Sequence, residues 1–344
     1  MNFALSEDQR TIKRTARELL GARYPLDEVR RLALEGAEDP HWEEIAALGW
    51  PEIAVPEEQG GQGLGLVELA VLAEEAGYAL APSALLSTWA AALLLAAAGE
   101  AGRMEGGRRG TVAMWDADAD GAPDASTLRP DGDRLTGEKV AVPDADVADV
   151  LVVTAAGGRH FAVDPAEVAI EPAAALDPTR RLFTVRMDGA RGEPLEGGDW
   201  WRPWHAIAVA AAAECVGVAE RAMDMAVAYA KERRQFGRPI GSYQAVSHAC
   251  AQMLLEVEGA RSIAYWAAWA LDNEPAEGRM AASCAKAYAS DAGARVTRSA
   301  LQVHGGIGFT WEHDLHLLLK RAEANAHAWG DARWHREQVA ALTL

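Results

Sequence analysis

The sequence predicts a mainly α-helical protein with a small β domain in the middle of the chain. Apolar residues recur at helical spacing before about residue 99 and again beyond residue 198, while the patterns between them are short and β-rich. Glycine pairs, Gly106-Gly107 and Gly197-Gly198, stand where the pattern changes. We therefore expect an N-terminal helical domain over residues 1–108, a small β-barrel over 109–197 and a C-terminal four-helix bundle over 198–344.

The N-terminal segment reads as helices interrupted by one loop. Ser6 is in position to cap the first helix, with Gln9 three residues later completing a capping box. The stretch from Pro51 to Gly65 is rich in proline and glycine and cannot remain helical. A second pair of helices is expected from Leu66 to Tyr78 and from Ser83 to about Ala98.

The middle segment carries several short runs with strand character, separated by turns. A turn of the hairpin type is indicated at Pro130-Asp131-Gly132-Asp133. The predicted strands are Gly110–Met114, Val147–Thr154, His160–Val163 and Phe183–Met187.

The C-terminal segment is helical again, in four long stretches. The breaks between them fall near Phe236–Gly241, Asn273–Gly278 and Gly305–Gly308. The second stretch has an apolar stripe that repeats every three or four residues, which is typical of a bundle helix: Cys250, Met253, Val257, Ala260, Ala264, Ala267 and Leu271.

Composition excludes several classes of protein. A formal net charge of -18 without any basic block argues against a nucleic-acid surface. The first residues have neither the basic start nor the apolar run of a signal peptide, so we do not expect export. The most apolar stretch, Trp89 to Ala98, is about half the length needed to span a bilayer. Cys215, Cys250 and Cys284 are far apart in helical patterns, so we expect reduced core thiols in a cytoplasmic protein without a membrane span.

Three motifs identify the chain with a known family. Arg233, Phe236 and Gly237, followed by Gln244, match the pattern Arg-x-x-Phe-Gly and a later Gln. Gln302 opens a second match, Gln-x-x-Gly-Gly-x-Gly-Phe, and Gly305 and Gly306 are its glycine pair. A weaker match lies at Gly49-Trp50, Val55 to Gly61, and Glu74-Glu75. Together they resemble the acyl-CoA dehydrogenases over nearly the whole chain.

The resemblance implies an FAD-dependent enzyme that oxidises acyl-CoA thioesters and passes electrons to an electron-transfer acceptor. In that family these motifs reach across a subunit interface to the ADP half of the neighbouring FAD. Carried over by position, the cofactor-binding residues are Arg233, Phe236, Gln244, Gln302, Gly305 and Gly306. The chemistry agrees, because glycines let backbone amides approach a pyrophosphate and a guanidinium suits phosphate.

Each of these features also has an ordinary structural interpretation. A Gly-Gly-x-Gly run is more often a turn between helices. Arg233 beside Lys231 and Arg234 would usually be the solvated end of a helix, and Phe236 would usually anchor a core. Their joint spacing favours the family interpretation.

The catalytic base of the family is missing from its usual positions. Many members carry a Glu before Gly after the last bundle helix, and the pair here is Trp329-Gly330. Other members place the base on the first bundle helix, where this chain has Ile207. Asp331 is the nearest acidic candidate, although an Asp after Gly most often caps the next helix. His205 is a remote option, since a lone histidine among apolar neighbours is usually packed in the core.

The middle domain also departs from the family. A hydroxyl-rich loop that holds the flavin ring is replaced by Ala113–Gly121, and a Trp-Ile-Thr/Ser strand by Val140–Pro143. Asp116, Asp118 and Asp120 would repel phosphate. Their spacing resembles the start of a calcium loop, but the closing position falls on Thr127 instead of Glu, so no metal site is expected.

Three hypotheses remain. The chain could be a subunit that works with a second, base-bearing acyl-CoA dehydrogenase-like chain, as in bacterial heterotetramers acting on steroid or similarly bulky CoA thioesters. It could be a self-sufficient homo-oligomer that uses Asp331 as base. It could also be a structural or binding protein that kept the fold without redox chemistry.

Overall fold

The computed structural model describes residues 4–117 and 125–343. The chain divides into two compact units. Unit 1 comprises the described parts of Met1–Arg31, Ala70–Ala81 and Ala208–Leu344, and unit 2 comprises Leu32–Leu69 and Pro82–Ile207. The helices are α1 (Glu7–Arg23), α2 (Leu26–Glu35), α3 (Trp42–Ala47), α4 (Leu66–Ala79), α5 (Leu85–Ala97), α6 (Trp201–Glu232), α7 (Gln244–Asn273), α8 (Pro275–His304), α9 (Leu315–His327) and α10 (Ala332–Thr343).

Most of the strands form one curled sheet in unit 2. The order along the sheet is β1-β3-β4-β6-β2, with β5 also paired to β6. Only the β1–β3 pair is parallel among these described pairs, and a bridge from Trp115 to Val140 joins the end of β1 to β2. The strands are β1 (Gly110–Ala113), β2 (Arg134–Pro143), β3 (Val150–Ala155), β4 (Arg159–Val163), β5 (Ala169–Ala173) and β6 (Leu182–Leu195), with a separate hairpin of β7 (Arg234–Gln235) and β8 (Arg238–Pro239).

The curled sheet closes around its own apolar core. Alternate residues along each strand point inward, because successive side chains in a strand face opposite sides. The core includes Leu135, Leu151, Val153, Phe161, Val163 and Val185. Burying these side chains is the main source of stability for this part of the chain.

The N-terminal helix begins where its capping residues predict. The Ser6 hydroxyl accepts a hydrogen bond from the Gln9 N–H at 3.1 Å, and the Gln9 side chain accepts one from the Ser6 N–H at 2.9 Å. Farther along α1, Lys13 and Arg17 pair with two buried glutamates of α4, Glu74 and Glu75. These ion pairs attach α1 to the rest of unit 1.

Helices α4 and α6 lie unusually close together, and two glycines make this possible. A Cβ on Gly217 of α6 would lie 1.8 Å from the Glu74 carbonyl oxygen, and a Cβ on Gly77 of α4 would lie 2.2 Å from the Glu214 carbonyl oxygen. The side chain of Glu214 then accepts hydrogen bonds from Arg321 at 2.9 Å and from Asn325 at 2.7 Å. This buried polar network connects α6 with α9.

Helices α7 and α8 form an antiparallel hairpin with only Glu274 between them. Each helix has 30 residues, which corresponds to a length of about 45 Å. Arg295 and Glu256 form a two-point ion pair across the hairpin, at 2.7 and 3.1 Å. The predicted stripe on α7 is buried from Met253 to Leu271, whereas Cys250 is only partly buried.

The predicted fold class is confirmed: the protein is mainly helical, and a curled sheet occupies the middle of the chain. The fourth long C-terminal stretch is divided into α9 and α10 by Trp329 and Gly330, which both have positive φ. The division at residues 108 and 197 stays a prediction, since the compact units combine the chain differently. No described helix is long and apolar enough to cross a membrane.

Candidate functional site

The residues predicted to bind the cofactor come together at one end of the bundle. Gln244 begins α7 and Gln302 lies in the last turn of α8, so both stand at the open end of the antiparallel hairpin. Both glutamine side chains are exposed and make no hydrogen bond within the part of the chain that the structure describes. Helix α6 ends at the same place, because Tyr229 in its last turn stacks on His304 at the end of α8.

Arg233 follows α6 directly and opens the small β7–β8 hairpin. Its backbone N–H donates to the Tyr229 carbonyl, and its own carbonyl accepts from the Ile240 N–H, both at 2.8 Å. Phe236 and Gly237 form the hairpin turn, with φ of 52° and 82°. Two successive residues with positive φ are typical of a tight hairpin turn. The guanidinium of Arg233 is exposed and pairs with no carboxylate among the described residues.

Phe236 does not anchor a core. Its side chain is 94% exposed, and its nearest ring partner is Tyr243 at a centroid distance of 6.5 Å. Phe309, just beyond the glycine turn, is 69% exposed. Large aromatic side chains left in solvent at one end of a protein indicate a surface that another molecule covers.

The glycine turn is open on the side where a ligand would approach. Gly305 ends α8 with φ 63°, and a Cβ on either Gly305 or Gly306 would meet no atom within 4 Å. Gly308 is different, because its Cβ would lie 3.0 Å from the Cβ of His304. The turn therefore has a packed inner side and a free outer side.

These features fit the ADP half of FAD. An exposed guanidinium supplies charge and a planar fork for phosphate. Two exposed amides supply donors and acceptors, and the glycine pair leaves room for a pyrophosphate against the backbone. The residues that would hold this group are Arg233, Gln244, Gln302, Gly305 and Gly306. Their assignment as binding residues is a proposal that rests on this geometry.

Neither residue of the turn where the resemblance would place a base carries a carboxylate. Trp329 is buried, with φ 58°, and the next residue is Gly330. Asp331 lies just before α10, where its Oδ1 accepts the Trp334 N–H at 2.8 Å. This contact is the capping role considered for an aspartate after glycine, and it leaves Asp331 a weak candidate for a base.

The second position for a base is also apolar. Ile207 on α6 is buried. His205, two residues earlier, is buried as well, with its Nδ1 2.6 Å from the Trp201 carbonyl and its ring edge-on to Trp204 at 5.2 Å. The histidine is thus packed and hydrogen-bonded in the way expected for a core residue.

Sequence reasoning missed two buried side chains that hold the Trp329–Gly330 turn. The ammonium of Lys286 on α8 is fully buried and donates to the Gly330 carbonyl at 2.9 Å and to the Ser290 hydroxyl at 3.0 Å. The His335 ring lies 2.9 Å, through Nε2, from the Trp329 carbonyl. Burial lowers the pKa of Lys286 to about 8. A lysine within an alanine-rich helix pattern was the only signal in the sequence.

The expected repulsion of phosphate by Asp116 is corrected by the structure. This carboxylate is buried and accepts from the Lys139 ammonium and from the backbone N–H of Thr127. Burial alone would raise the pKa of Asp116, but the hydrogen bonds from Lys139 and Thr127 lower it. The charge is therefore neutralised in place. Asp118, Asp120 and Gly121 lie outside the described residues.

Unit 2 contains an aromatic cavity that the sequence did not predict. It has a volume of about 250 Å³ and lies between the outer face of the sheet, α5 and the start of α6. His160 of β4 reaches it and contacts the Trp200 ring at 4.6 Å. Burial, together with the Lys139 charge, lowers the pKa of His160 to about 4. The ring is therefore neutral at pH 7.

Family models match both ends of this chain. The model for the acyl-CoA dehydrogenase N-terminal domain matches residues 6–104, and the model for the acyl-CoA dehydrogenase C-terminal domain matches residues 206–344. The chain is also similar to acyl-CoA dehydrogenase IpdE2 of Mycolicibacterium smegmatis, at 33% identity over 337 residues, which are 96% of each protein.

Two solved structures resemble the whole chain. A variant of the Tcur3481-Tcur3483 steroid ACAD has a TM-score of 0.87 and 30% identity, covering 98% of this chain and 97% of that one. The ChsE4-ChsE5 complex from Mycobacterium tuberculosis has a TM-score of 0.88 and 27% identity, covering 99% and 98%.

Proposed function

Because this chain belongs to the acyl-CoA dehydrogenase family, whose members are FAD-dependent oxidoreductases, we propose that it is one subunit of a two-chain enzyme. In this proposal the chain lends its ADP-binding end to an FAD whose ring is held by a second, base-bearing chain. The substrate is a CoA thioester with a bulky, steroid-type acyl group, and the electrons pass to an electron-transfer acceptor. The enzyme works in the cytoplasm.

One observation carries the proposal. The groups suited to a pyrophosphate lie at one end of the bundle: the Arg233 guanidinium is exposed without a carboxylate partner among the described residues, and the Gly305–Gly306 turn has open space on its outer side. At both positions where the family has its base, by contrast, the chain has a buried apolar residue, Trp329 or Ile207. A chain with one half of a site and without the other is suited to sharing that site.

The division of labour follows from the chemistry. The chemistry that a bound FAD would supply is acceptance of the β-hydrogen of the acyl group as hydride. A carboxylate must remove the α-proton, and a general base contributes roughly 10²–10⁴-fold to such a reaction. Arg233 and the two glutamines act on the distant ADP half, where they bind and orient the cofactor. The α-proton would thus be removed by a carboxylate of the second chain.

Similar proteins support the pairing. Two of the similar structures carry paired names, Tcur3481-Tcur3483 and ChsE4-ChsE5, and one of them is a steroid ACAD. Exposed Phe236 and Phe309 give this chain an apolar surface that a second chain would cover. This surface lies beside the proposed ADP cradle, which consists of Arg233, Gln244, Gln302, Gly305 and Gly306. The chain has a net charge of -18, yet several basic residues lie close together in the sequence around Arg233: Lys231, Arg234 and Arg238.

The visible spectrum tests the proposal directly. The chain is purified alone and after co-expression with each neighbouring dehydrogenase-like chain, and flavin absorbance is compared with protein concentration. We expect a colourless chain alone and a yellow complex with about one FAD for each pair of chains. A yellow chain with one FAD per copy would contradict the shared site, and a colourless complex with every candidate partner would contradict a redox role.

A further inference from the structure

The proposed ADP cradle is assembled from two separate stretches of chain. Arg233 stands at the end of α6, whereas Gly305 and Gly306 follow α8. No hydrogen bond or ion pair joins the Arg233 side chain to the glycine turn within the described residues. Their spacing must therefore be set by residues beneath them, and the structure shows a direct ring contact between the two helix ends.

That contact is the stack of Tyr229 on His304. The ring centroids are 4.6 Å apart and the planes are inclined by 20°. Tyr229 lies one helical turn before Arg233, and its carbonyl accepts the Arg233 N–H at 2.8 Å. His304 immediately precedes Gly305. Tyr229 is thus linked to the Arg233 half of the cradle, and His304 is linked to the half that contains Gly305 and Gly306.

His304 has little freedom to move. It is only 5% exposed, and its Nδ1 donates to the Ala300 carbonyl at 2.8 Å. The His313 ring lies 4.6 Å away, inclined by 59°. Gly308 closes the remaining side, where even a Cβ would come within 3.0 Å of the Cβ of His304. The imidazole is therefore held in one position, and the Tyr229 ring packs against it.

We propose that the stacked pair of Tyr229 and His304 is the spacer that fixes the distance between Arg233 and the Gly305–Gly306 turn. Both are positioning residues, and neither touches the ligand. A pyrophosphate gripped from two sides needs donors at a fixed separation, and a shift of about 1 Å weakens such a site considerably. This inference rests on the proposed function, because it concerns the same cradle.

The test uses ADP as the probe and the full chain as the protein. Binding is measured by titration calorimetry or by ³¹P line broadening, at millimolar ADP because half a site binds weakly. We expect His304→Leu to weaken ADP binding roughly two- to ten-fold, which is the range that loss of one aromatic contact supports. His304→Phe and Tyr229→Phe retain the stack and should bind ADP as the wild type does.

A double-mutant cycle separates spacing from general stability. If the rings act as a unit, Tyr229→Leu and His304→Leu together weaken ADP binding no more than either alone. Tyr288→Leu is the matched control, since it removes an aromatic ring from α8 about 24 Å from His304 and should leave ADP binding unchanged. The unfolding midpoint of every variant is recorded beside its affinity for ADP.

The outcomes separate this inference from the proposed function. A wild-type chain that binds no ADP at 10 mM, roughly the weakest affinity worth calling a site, would contradict the cradle itself. A wild type that binds ADP while His304→Leu binds it equally well would overturn only the spacer. Additive losses in the double mutant, or failure of His304→Phe to restore binding, would also overturn the spacer.

Discussion

At the residue scale, three buried ionisable side chains show how burial affects the charge state of a group. Lys139, His160 and Lys286 are all buried, yet only Lys139 has a carboxylate partner, Asp116. The other two bond to neutral groups: His160 Nδ1 lies 3.2 Å from the Thr154 hydroxyl, and Lys286 donates to carbonyl and hydroxyl oxygens. Burial of a group without a countercharge disfavours its charged form.

The pKa of His160, lowered from 6.5 to about 4, makes stability depend on acid. Between these values the unfolded chain binds the proton more readily, so this contribution is complete above pH 6.5 and is lost as the pH falls toward 4. The full effect is about 3 kcal/mol. We expect His160→Phe to flatten this part of the profile of unfolding free energy against pH. The exposed His248→Phe is the control, and equal profiles for wild type and His160→Phe would refute the assignment.

The buried Lys286 makes the stability of the fold depend on pH in the alkaline range. Its pKa falls from 10.5 to about 8, so between these values the unfolded chain binds more protons and the folded state gains stability as the pH rises. Relative to Lys286→Met, the wild type should gain about 3 kcal/mol between pH 8 and 10.5. Chemical denaturation at several pH values measures this difference. The exposed Lys231→Met should show no such trend, and a flat difference for Lys286→Met would argue against the shift.

At the element scale, the start of α10 distinguishes a cap from a base. Asp331 caps the helix through its Oδ1. Asp331→Ala should lower the free energy of unfolding by about 1 kcal/mol, while Asp331→Asn should keep the cap. Turnover of the complete assembly should survive Asp331→Asn. A drop of roughly 10²-fold or more in kcat with unchanged stability would instead identify Asp331 as a base.

The close approach of α4 and α6 predicts a strict need for glycine at their crossing. A Cβ on Gly217 would overlap the Glu74 carbonyl oxygen at 1.8 Å, and backbone atoms on both helices cannot yield without separating them. We expect Gly217→Ala to cost about 3 kcal/mol or more in thermal or denaturant unfolding. Gly21 on α1 has no atom within 4 Å of its Cβ position. Gly21→Ala should therefore be neutral or stabilising by up to about 1 kcal/mol, and a similar loss in both variants would contradict the crossing argument.

At the scale of the whole molecule, the cradle is predicted to retain FAD once the chain is assembled with a partner. Arg233→Gln should weaken FAD retention by the two-chain complex about ten- to hundred-fold, because a hydrogen bond to a charged group contributes about 1.5–3 kcal/mol. The measurement is the flavin content that remains after dialysis, determined from the flavin absorbance. Arg234→Gln, one residue along the same hairpin, is the matched control and should retain FAD. Equal loss in both variants would indicate a general effect of charge.

Sequence patterns alone determined the class of fold and the place of the cofactor motifs. Helical and strand periodicities depend on local residue order, so the capped start of α1, the stripe from Met253 to Leu271 and the β-rich middle could all be predicted. The spacing of Arg233, Gln244, Gln302 and the glycine pair likewise identified the family, because those residues lie within two short motifs.

Only the tertiary structure decided which side chains are free and which are engaged. Asp116 and Asp331 are acidic in the sequence, yet one is neutralised by Lys139 and the other caps a helix. The partners Lys139 and Asp116 are 23 residues apart, and Lys286 and Gly330 are 44 apart. Such contacts depend on how distant segments pack, and no local pattern encodes them. The same reason explains why the stack of Tyr229 on His304 appears only when α6 and α8 end side by side.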